Sequence, residues 1–298
     1  MKRKFIYFIN PISGTKGKEQ LLELIKEETT AQQIAFEILP TNAAGDYAYL
    51  QEKIAADAVT DVIICGGDGT VNQVAHALLH IDVNVGIIPM GSGNGLAFAA
   101  GIPRSPFQAL QLIFRGNATA IDSFYINQKF SCMLCGVGFD AQVAHDFAKQ
   151  KKRGLATYIQ QSTKNFFTAK PFPFTITTAN GSFDCDAWFI SIANSNQFGN
   201  NFTIAPRASL SDGLLDIVVV KKMNKLLLVW KIIRQVRSGK INPETHPDFH
   251  KDAVLYFHTK DFTIKNTGNA PLHIDGDPAD TAASFEIKLI EKAFRLLM

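Results

Sequence analysis

The stretch CGGDGTVNQVAHALLH, residues 65–80, sets three glycines around one aspartate and then runs into a helical pattern. Val71, Val74, Ala75 and Leu78 fall at i, i+3, i+4 and i+7, the stripe by which a helix packs on a sheet. Ahead of the glycines, DVIIC at 61–65 is a short apolar run of the kind that forms a buried strand. The same order of strand, turn and helix recurs on both sides. KFIYFI at 4–9 reads as a strand, and GKEQLLELIKEE after it places Leu21, Leu22, Leu24 and Ile25 on helical spacing. IAFEIL at 34–39 is a second strand, and Leu50 and Ile54, four apart between Gly45 and Ala58, point to another helix. VNVGIIPMGSGNGLAFAAGIP, from Val83, is again strand, glycine loop and short helix. Such alternation predicts a doubly wound α/β domain with a parallel sheet, which binds ligands at the carboxyl ends of its strands.

Three loops fall at those ends: NPISGTKG at 10–17, GGDGT at 66–70 and GSGNG at 91–95. A glycine lets the backbone approach a phosphate closely, and a helix starting just beyond offers free N–H groups and a positive dipole end. Three such loops on one sheet edge point to a nucleotide. A carboxylate inside a phosphate loop repels bare phosphate, so Asp68 implies Mg²⁺ between them; an Asx turn or helix cap is the plainer alternative. No G-x-x-x-x-G-K-[ST] is present, so this is not a P-loop. GVGFDA at 136–141 matches the dinucleotide fingerprint, but it lies mid-chain with no acidic residue about twenty positions later to hold a ribose. Cys132-x-x-Cys135 has no second pair and sits in an apolar run, the setting of buried cysteines rather than of zinc.

At 298 residues the chain is long enough for two domains, and 46% hydrophobic with 19% charged residues reads as globular. A net charge of +3 is too small to imply nucleic-acid binding by bulk electrostatics. Four scattered cysteines and the missing apolar segment after Met1 favour the cytoplasm. No apolar run reaches the roughly 18 to 20 residues that span a bilayer. Contact with a membrane surface is another matter. KKMNKLLLVWKIIRQVRSGK, Lys221 to Lys240, carries only basic charges around Leu226, Leu227, Leu228, Val229, Trp230, Ile232, Ile233 and Val236. It reads either as a helix lying in an anionic membrane interface or as one packed on the protein with a solvated basic face.

After Ile121 the alternation is expected to stop. FSCMLCGVGF, FPFTITT, SFDCDAWFISIANS, LLDIVVV, AVLYFHT and FTIKNT are strand candidates separated by turn residues, so the second half reads as a sheet-rich domain.

With these features in view, the chain resembles the diacylglycerol kinase catalytic-domain family, which includes bacterial lipid kinases and sphingosine kinases. The markers run along nearly the whole chain: NPISG at 10–14, Thr41 before GD at 45–46, GGDGTVNQ at 66–73, PMGSGNGLA at 89–97, GVGFDA, APRASLSDGLLDIVVV at 205–220 and IDGD at 274–277. The glycine–aspartate–glycine core is shared with NAD kinases and phosphofructokinases; the later blocks single out lipid kinases. The resemblance implies a nucleotide-binding α/β domain over 1–121, joined by a returning tail at 283–298, a β-sandwich lipid-substrate domain over 122–282, and an active site between them. It places ATP contacts on Asn10, Pro11, Ile12, Ser13, Gly14, Thr41, Gly67, Asp68, Gly69, Thr70, Val71, Asn72, Gln73 and Ser92; the glycine loops themselves add Gly66, Gly91, Gly93 and Asn94. It implies a structural Mg²⁺ held by Asp212 with the carbonyls of Ser209 and Leu214. The family's acidic motif, usually Asp-Gly-Glu, supplies the group proposed to take the proton from the lipid hydroxyl, here Asp275 or Asp277.

The chain departs from the family at Gln73, usually Glu, at Gly95, which diacylglycerol kinases carry as Asp, and at Asp277, one methylene shorter than the usual Glu. The implied function is transfer of the γ-phosphoryl group of ATP to a hydroxyl of a lipid such as diacylglycerol or a sphingoid base, with Mg²⁺. The implied place is the cytoplasm, peripherally on a membrane. The rivals are an NAD kinase-like enzyme acting on a soluble acceptor and a catalytically silent nucleotide- or lipid-binding protein. The oligomeric state stays open, a homodimer among the options.

Overall fold

The computed structural model describes residues 2–9, 18–42, 44–150, 165–166, 169–196, 204–224 and 253–298. The chain begins β1 (Lys4–Ile9), α1 (Lys18–Ala31), β2 (Ala35–Pro40), α2 (Leu50–Asp57), β3 (Asp61–Gly66), α3 (Asp68–Ala77), β4 (Asn84–Pro89), α4 (Gly95–Ala99) and α5 (Pro106–Arg115). It continues β5 (Ala118–Ile126), β6 (Lys129–Ser131), β7 (Leu134–Gly138), α6 (Phe139–Ala148), β8 (Phe172–Thr178), β9 (Gly181–Ala193) and β10 (Leu215–Lys221). The last described strands are β11 (Val254–Thr259), β12 (Asp261–Lys265), β13 (Leu272–Ile274), β14 (Asp277–Ala279) and β15 (Ser284–Leu297). Their contacts form two units, Met1–Asp122 with Glu291–Met298, and Ser123–Ile290.

In the first unit β2, β1, β3 and β4 lie side by side, all parallel, and the end of β15 pairs parallel with β4. β1 and β3 sit inside the sheet, and every residue of β3 is buried, as are Phe5, Ile6, Tyr7 and Phe8 of β1. Strands covered on both faces read as continuous apolar runs, which is why KFIYFI and DVIIC stand out in the sequence. α3 lays Val71, Val74 and Ala75 on the sheet, the stripe expected from its spacing. α5 begins with Pro106 in its first turn and ends at Gly116 in the left-handed region, φ 75°. At the amino ends of the strands Asp61, fully buried, accepts Arg3 Nε at 3.0 Å, Arg3 Nη2 at 2.7 Å, Thr60 Oγ1 at 2.6 Å and Asn84 Nδ2 at 3.0 Å. This network ties β1, β3 and β4 at the edge opposite their carboxyl ends.

In the second unit β9 changes partners along its length. Gly181 to Ala187 pairs with β8, and Phe189 to Ala193 pairs with β7 and with β10. The order continues through β8, β12 and β15 on one side and β7, β13 and β14 on the other, with β11 on β10. Inward-facing residues such as Phe124, Phe174, Ile190, Ile217, Phe262 and Phe285 form one apolar core. After Ile121 the alternation gives way to strands as expected, but among the described residues a helix, α6, follows β7 inside this unit. Phe139–Ala148 carries Ala141, Val143 and Ala144 on its buried face, small residues that make a weak stripe in sequence.

Candidate functional site

Because β1 to β4 are parallel, the loops after them leave from one edge. Register then decides which loops touch. Gly66 at the end of β3 is level with Pro89 of β4, and the Met90 N–H donates to the Gly66 carbonyl at 2.9 Å. GGDGT and GSGNG therefore depart side by side, and they meet backbone to backbone. A Cβ on Gly91 would lie 2.6 Å from Gly67 Cα, and a Cβ on Gly67 would lie 3.0 Å from Gly91 Cα. Gly67 caps α3 in an extended conformation, and the Val71 N–H donates to its carbonyl at 3.0 Å. Asp68, Gly69 and Thr70 are the first turn of α3, where N–H groups have no acceptor within the helix. Asp68 is itself in that turn, where the helix dipole favours a carboxylate.

The second glycine loop is closed by Asn94, held at φ 55°. Its Oδ1 accepts the Gly91 N–H at 2.8 Å, and its Nδ2 donates to the Gly91 carbonyl at 2.7 Å. Asn94 thus shapes the loop rather than offering its amide outward. Ser92 is exposed at the loop's tip. After β2, the Thr41 N–H donates to the Ile9 carbonyl at 3.1 Å, which keeps Thr41 beside the end of β1. Gln73 reaches across from α3: its Cδ and Nε2 lie 3.3 Å from the place a Cβ on Gly45 would take. Thr41, Gly66 to Gln73 and Gly91 to Asn94 are therefore on one edge. Asn10 to Gly14 lie outside the described residues.

In the second unit, Asp275 and Asp277 are separated by turn chemistry. Ile274 pairs with Asp277 in the β13–β14 hairpin, so Asp275 and Gly276 are its two-residue loop, both with positive φ, 49° and 88°. Asp-Gly with two positive φ values is the signature of the type I′ hairpin. The Asp275 side chain turns inward. Its Oδ1 accepts Ser131 Oγ at 2.6 Å, the Met133 N–H at 3.1 Å and the Leu134 N–H at 3.0 Å, and its Oδ2 accepts the Cys132 N–H at 3.2 Å. Buried and surrounded by donors, this carboxylate anchors the turn to the segment from Ser131 to Leu134. Asp277 opens β14 and is exposed.

His273 and Asp140 stand next to this turn, and the sequence marked neither as a site residue. His273 is opposite Gly136 in the β13–β7 register, and Asp140 comes over the same glycine from the first turn of α6. A Cβ on Gly136 would be 1.9 Å from Asp140 Oδ2 and 2.4 Å from His273 Nε2. The GVGFDA glycines are thus filled by protein, since the space beside Gly138, φ 113°, holds the Trp188 carbonyl 2.6 Å from a would-be Cβ. Only the strand register reveals these meetings. Cys132 and Cys135 are fully buried.

The SDGLLD block forms a turn in which Asp212 Oδ1 accepts the Leu214 N–H at 3.1 Å, about Gly213 at φ 73°. Ser209 Oγ accepts the Ser211 N–H at 3.5 Å. Among the described residues no group of three or more His, Cys, Asp or Glu side chains is placed to hold a metal. Four residues on, Asp216 is buried beneath the Tyr256 hydroxyl, which donates to its Oδ1, and His258 Nε2 is 3.1 Å from the same oxygen. Lys221 belongs to β10, so the basic stretch begins on a strand; its part from residue 225 to 240 lies outside the described residues. Among the described residues no helix is long and apolar enough to cross a membrane.

The model of the diacylglycerol kinase catalytic domain matches residues 4–126, and that of the YegS C-terminal NAD kinase beta sandwich-like domain matches residues 134–298. The chain belongs to the diacylglycerol kinase catalytic-domain family. It is 30% identical over 288 residues to the "Probable lipid kinase YegS-like" of Enterobacter sp. (strain 638), covering 93% of this chain and 92% of that one. With the "Probable lipid kinase YegS" of Escherichia coli O6:K15:H31 (strain 536 / UPEC) the identity is 29%, over 84% of this chain and 82% of the relative. A solved diacylglycerol kinase structure from Bacillus anthracis str. Sterne superposes with a TM-score of 0.72 at 20% identity, covering 99% of this chain and 96% of that chain. That likeness speaks to fold. In this diacylglycerol kinase-family chain the first unit carries the catalytic-domain match and the second the β-sandwich-like match.

Proposed function

We propose that this protein transfers the γ-phosphoryl group of ATP to a hydroxyl of a lipid such as diacylglycerol or a sphingoid base, working from the cytoplasmic side at a membrane surface. The observation that carries the nucleotide half is the backbone contact of Gly67 with Gly91, which leaves two glycine loops and one helix N-terminus on a single edge. Peptide N–H groups free of side-chain cover are what phosphates require. Thr41, Gly66 to Gln73 and Gly91 to Asn94 line this edge, and Asn10 to Gly14 join them on motif grounds. The lipid half of the reading is supported by relatives named as lipid kinases.

Asp68 would hold Mg²⁺. One carboxylate plus phosphate oxygens and waters is the donor set this ion ordinarily takes, and the metal would offset charge on the transferring group. Asp212 fits less well, because its Oδ1 is already engaged by the Leu214 N–H. In the reaction the acceptor oxygen forms a bond to the γ-phosphorus, the bond to the β–γ bridging oxygen breaks, and ADP leaves. The hydroxyl proton goes to Asp277, while Asp275, saturated with donors, fixes the turn that carries it. General-base help of this kind contributes on the order of 10² to 10⁴ in rate.

The test is a labelled-ATP assay with mixed micelles of diacylglycerol, monoacylglycerol, sphingosine, ceramide and phosphatidylglycerol, with NAD as a soluble competitor acceptor. Phosphorylation of a lipid supports the proposal. Phosphorylation of NAD alone, or ATP binding without transfer to any acceptor, overturns it.

A further inference from the structure

We propose that Asp140 and His273 are a positioning pair, acting through Gly276 to hold the Asp275–Gly276 turn and so set the Asp277 carboxylate. The inference rests on the assignment of Asp277 made above. Its own ground is a chain of contacts. In the hairpin the two turn residues donate outside the β13–β14 ladder: Asp275 N–H to the Leu134 carbonyl at 2.9 Å, and Gly276 N–H to His273 Nδ1 at 3.3 Å. A ring nitrogen that accepts carries no proton, so the neutral His273 ring has its proton on Nε2. That nitrogen faces Asp140 Oδ2 at 3.4 Å.

A carboxylate beside one ring nitrogen selects the tautomer protonated there and keeps the other nitrogen available as an acceptor. Asp140 is well placed for this. Its Oδ1 accepts the Ala141 N–H at 2.8 Å, which locks the side chain to the start of α6, and its Oδ2 is buried with no hydrogen-bonding partner aligned on it. A buried carboxylate oxygen whose one neighbouring donor, His273 Nε2, is not aligned for a full hydrogen bond is costly, and such features call for a functional explanation. Gly136 permits the arrangement, since any Cβ there would displace both Asp140 and His273. Three residues from GVGFDA and IDGD's flank, far apart in sequence, thus converge on one turn.

The experiment compares His273→Asn, His273→Gln, Asp140→Asn and Asp277→Asn in the full chain. Turnover is read with ATP on whichever micellar lipid the wild-type protein uses, and exchange of the Gly276 amide is followed by NMR. The Oδ1 of Asn at 273 falls near the place of Nδ1 and still accepts from Gly276; the Gln amide lies farther out, toward Asp140, and does not. Asn at 140 sets an N–H₂ against Nε2–H, which drives the ring to the other tautomer without changing side-chain shape. Expected are kcat within about threefold of wild type for His273→Asn, and losses on the order of 10- to 100-fold for His273→Gln and Asp140→Asn. In the latter two the KM for ATP stays unchanged and the Gly276 amide exchanges faster. Equal losses in His273→Asn and His273→Gln, or wild-type kcat and Gly276 protection in Asp140→Asn, overturn the pairing. An inactive Asp277→Asn beside a fully active His273→Gln overturns this inference alone, whereas a fully active Asp277→Asn overturns the assignment of Asp277 on which it rests.

Discussion

Replacing Gly91 with alanine tests whether the two glycine loops act as one phosphate site. Gly91 is not in the left-handed region, so alanine meets no backbone penalty there and the effect is steric. The added methyl carbon would stand 2.6 Å from Gly67 Cα and 2.9 Å from Asn94 Oδ1. Carbon atoms in contact prefer about 3.5 to 4.0 Å, so the loops must separate by roughly 1 Å. Asn94 cannot simply yield, because both ends of its amide are bonded to Gly91 itself. Misplacement of about 1 Å in a site that works by position costs on the order of 10²-fold in rate, and overpacking costs about 1–3 kcal/mol of stability.

Gly67→Ala probes the same contact from the other side with a milder clash, 3.0 Å to Gly91 Cα, and should give the smaller loss of the two. The assay is ATP binding by calorimetry together with kcat/KM, with thermal melting to separate unfolding from displaced loops. A folded Gly91→Ala protein that binds ATP as tightly as wild type and keeps its turnover would refute the reasoning. It would mean that the two loops touch for packing alone.

Three further outcomes are expected. Asp61→Ala, which strips Arg3, Thr60 and Asn84 of a fully buried acceptor, should destabilise the first unit by about 3 kcal/mol in urea unfolding; a change under about 0.5 kcal/mol would contradict the role given to that network. Burial raises the Asp216 carboxyl above the ordinary carboxylate range, against the opposing pull of the Tyr256 hydroxyl and His258. The folded protein then keeps a proton the unfolded chain has lost, so this contribution is intact below the unfolded pKa and stability falls as pH rises toward the raised value. Urea midpoints of wild type and Asp216→Asn should converge or cross on that side, and parallel pH profiles would count against it. Burial also pushes the Cys185 thiol up to about 11, and Cys65 still higher, so iodoacetamide should label native Cys185 slowly near neutral pH and about tenfold faster per pH unit below that value. Labelling of Cys65 before Cys185 in peptide mass spectra would be the contrary result.

The first unit was readable because its inner strands are covered on both faces. KFIYFI and DVIIC have no polar alternation to hide them, and the stripe on α3 is regular. Less readable was β15, whose fourteen residues SFEIKLIEKAFRLL alternate at first and then lose the pattern where the strand passes from pairing with β12 to pairing with β4. α6 was missed because its buried positions are mainly alanine and valine, next to a strand ending in glycine. At the candidate site, motif spacing anticipated that the glycine loops at 66–70 and 91–95 share one edge. It did not show that Gln73 lies against Gly45, a contact that depends on where α3 sits on the sheet. Nor did Asp-Gly-Asp show which carboxylate is exposed: two positive φ values turn one inward and leave the next on the strand.

Glycine-rich motifs alone do not separate a ligand loop from tight packing, but the occupant of the space a Cβ would need does. At Gly136 that space holds the Asp140 and His273 side chains, and at Gly138 it holds the Trp188 carbonyl, so GVGFDA has no room for a pyrophosphate despite its match to the fingerprint. At Gly67 and Gly91 each backbone occupies the other's space beside the start of a helix, and the side chain closest to Gly91 is Asn94, which closes the loop. Glycine at these two positions lets the loops meet backbone to backbone and leaves the strand edge open to a ligand's approach. The same residue type serves protein–protein packing in one unit and, by this reasoning, phosphate access in the other, and substitutions should separate them. Alanine at Gly136 should destabilise the fold, whereas alanine at Gly91 should weaken ATP binding more than it lowers the melting temperature.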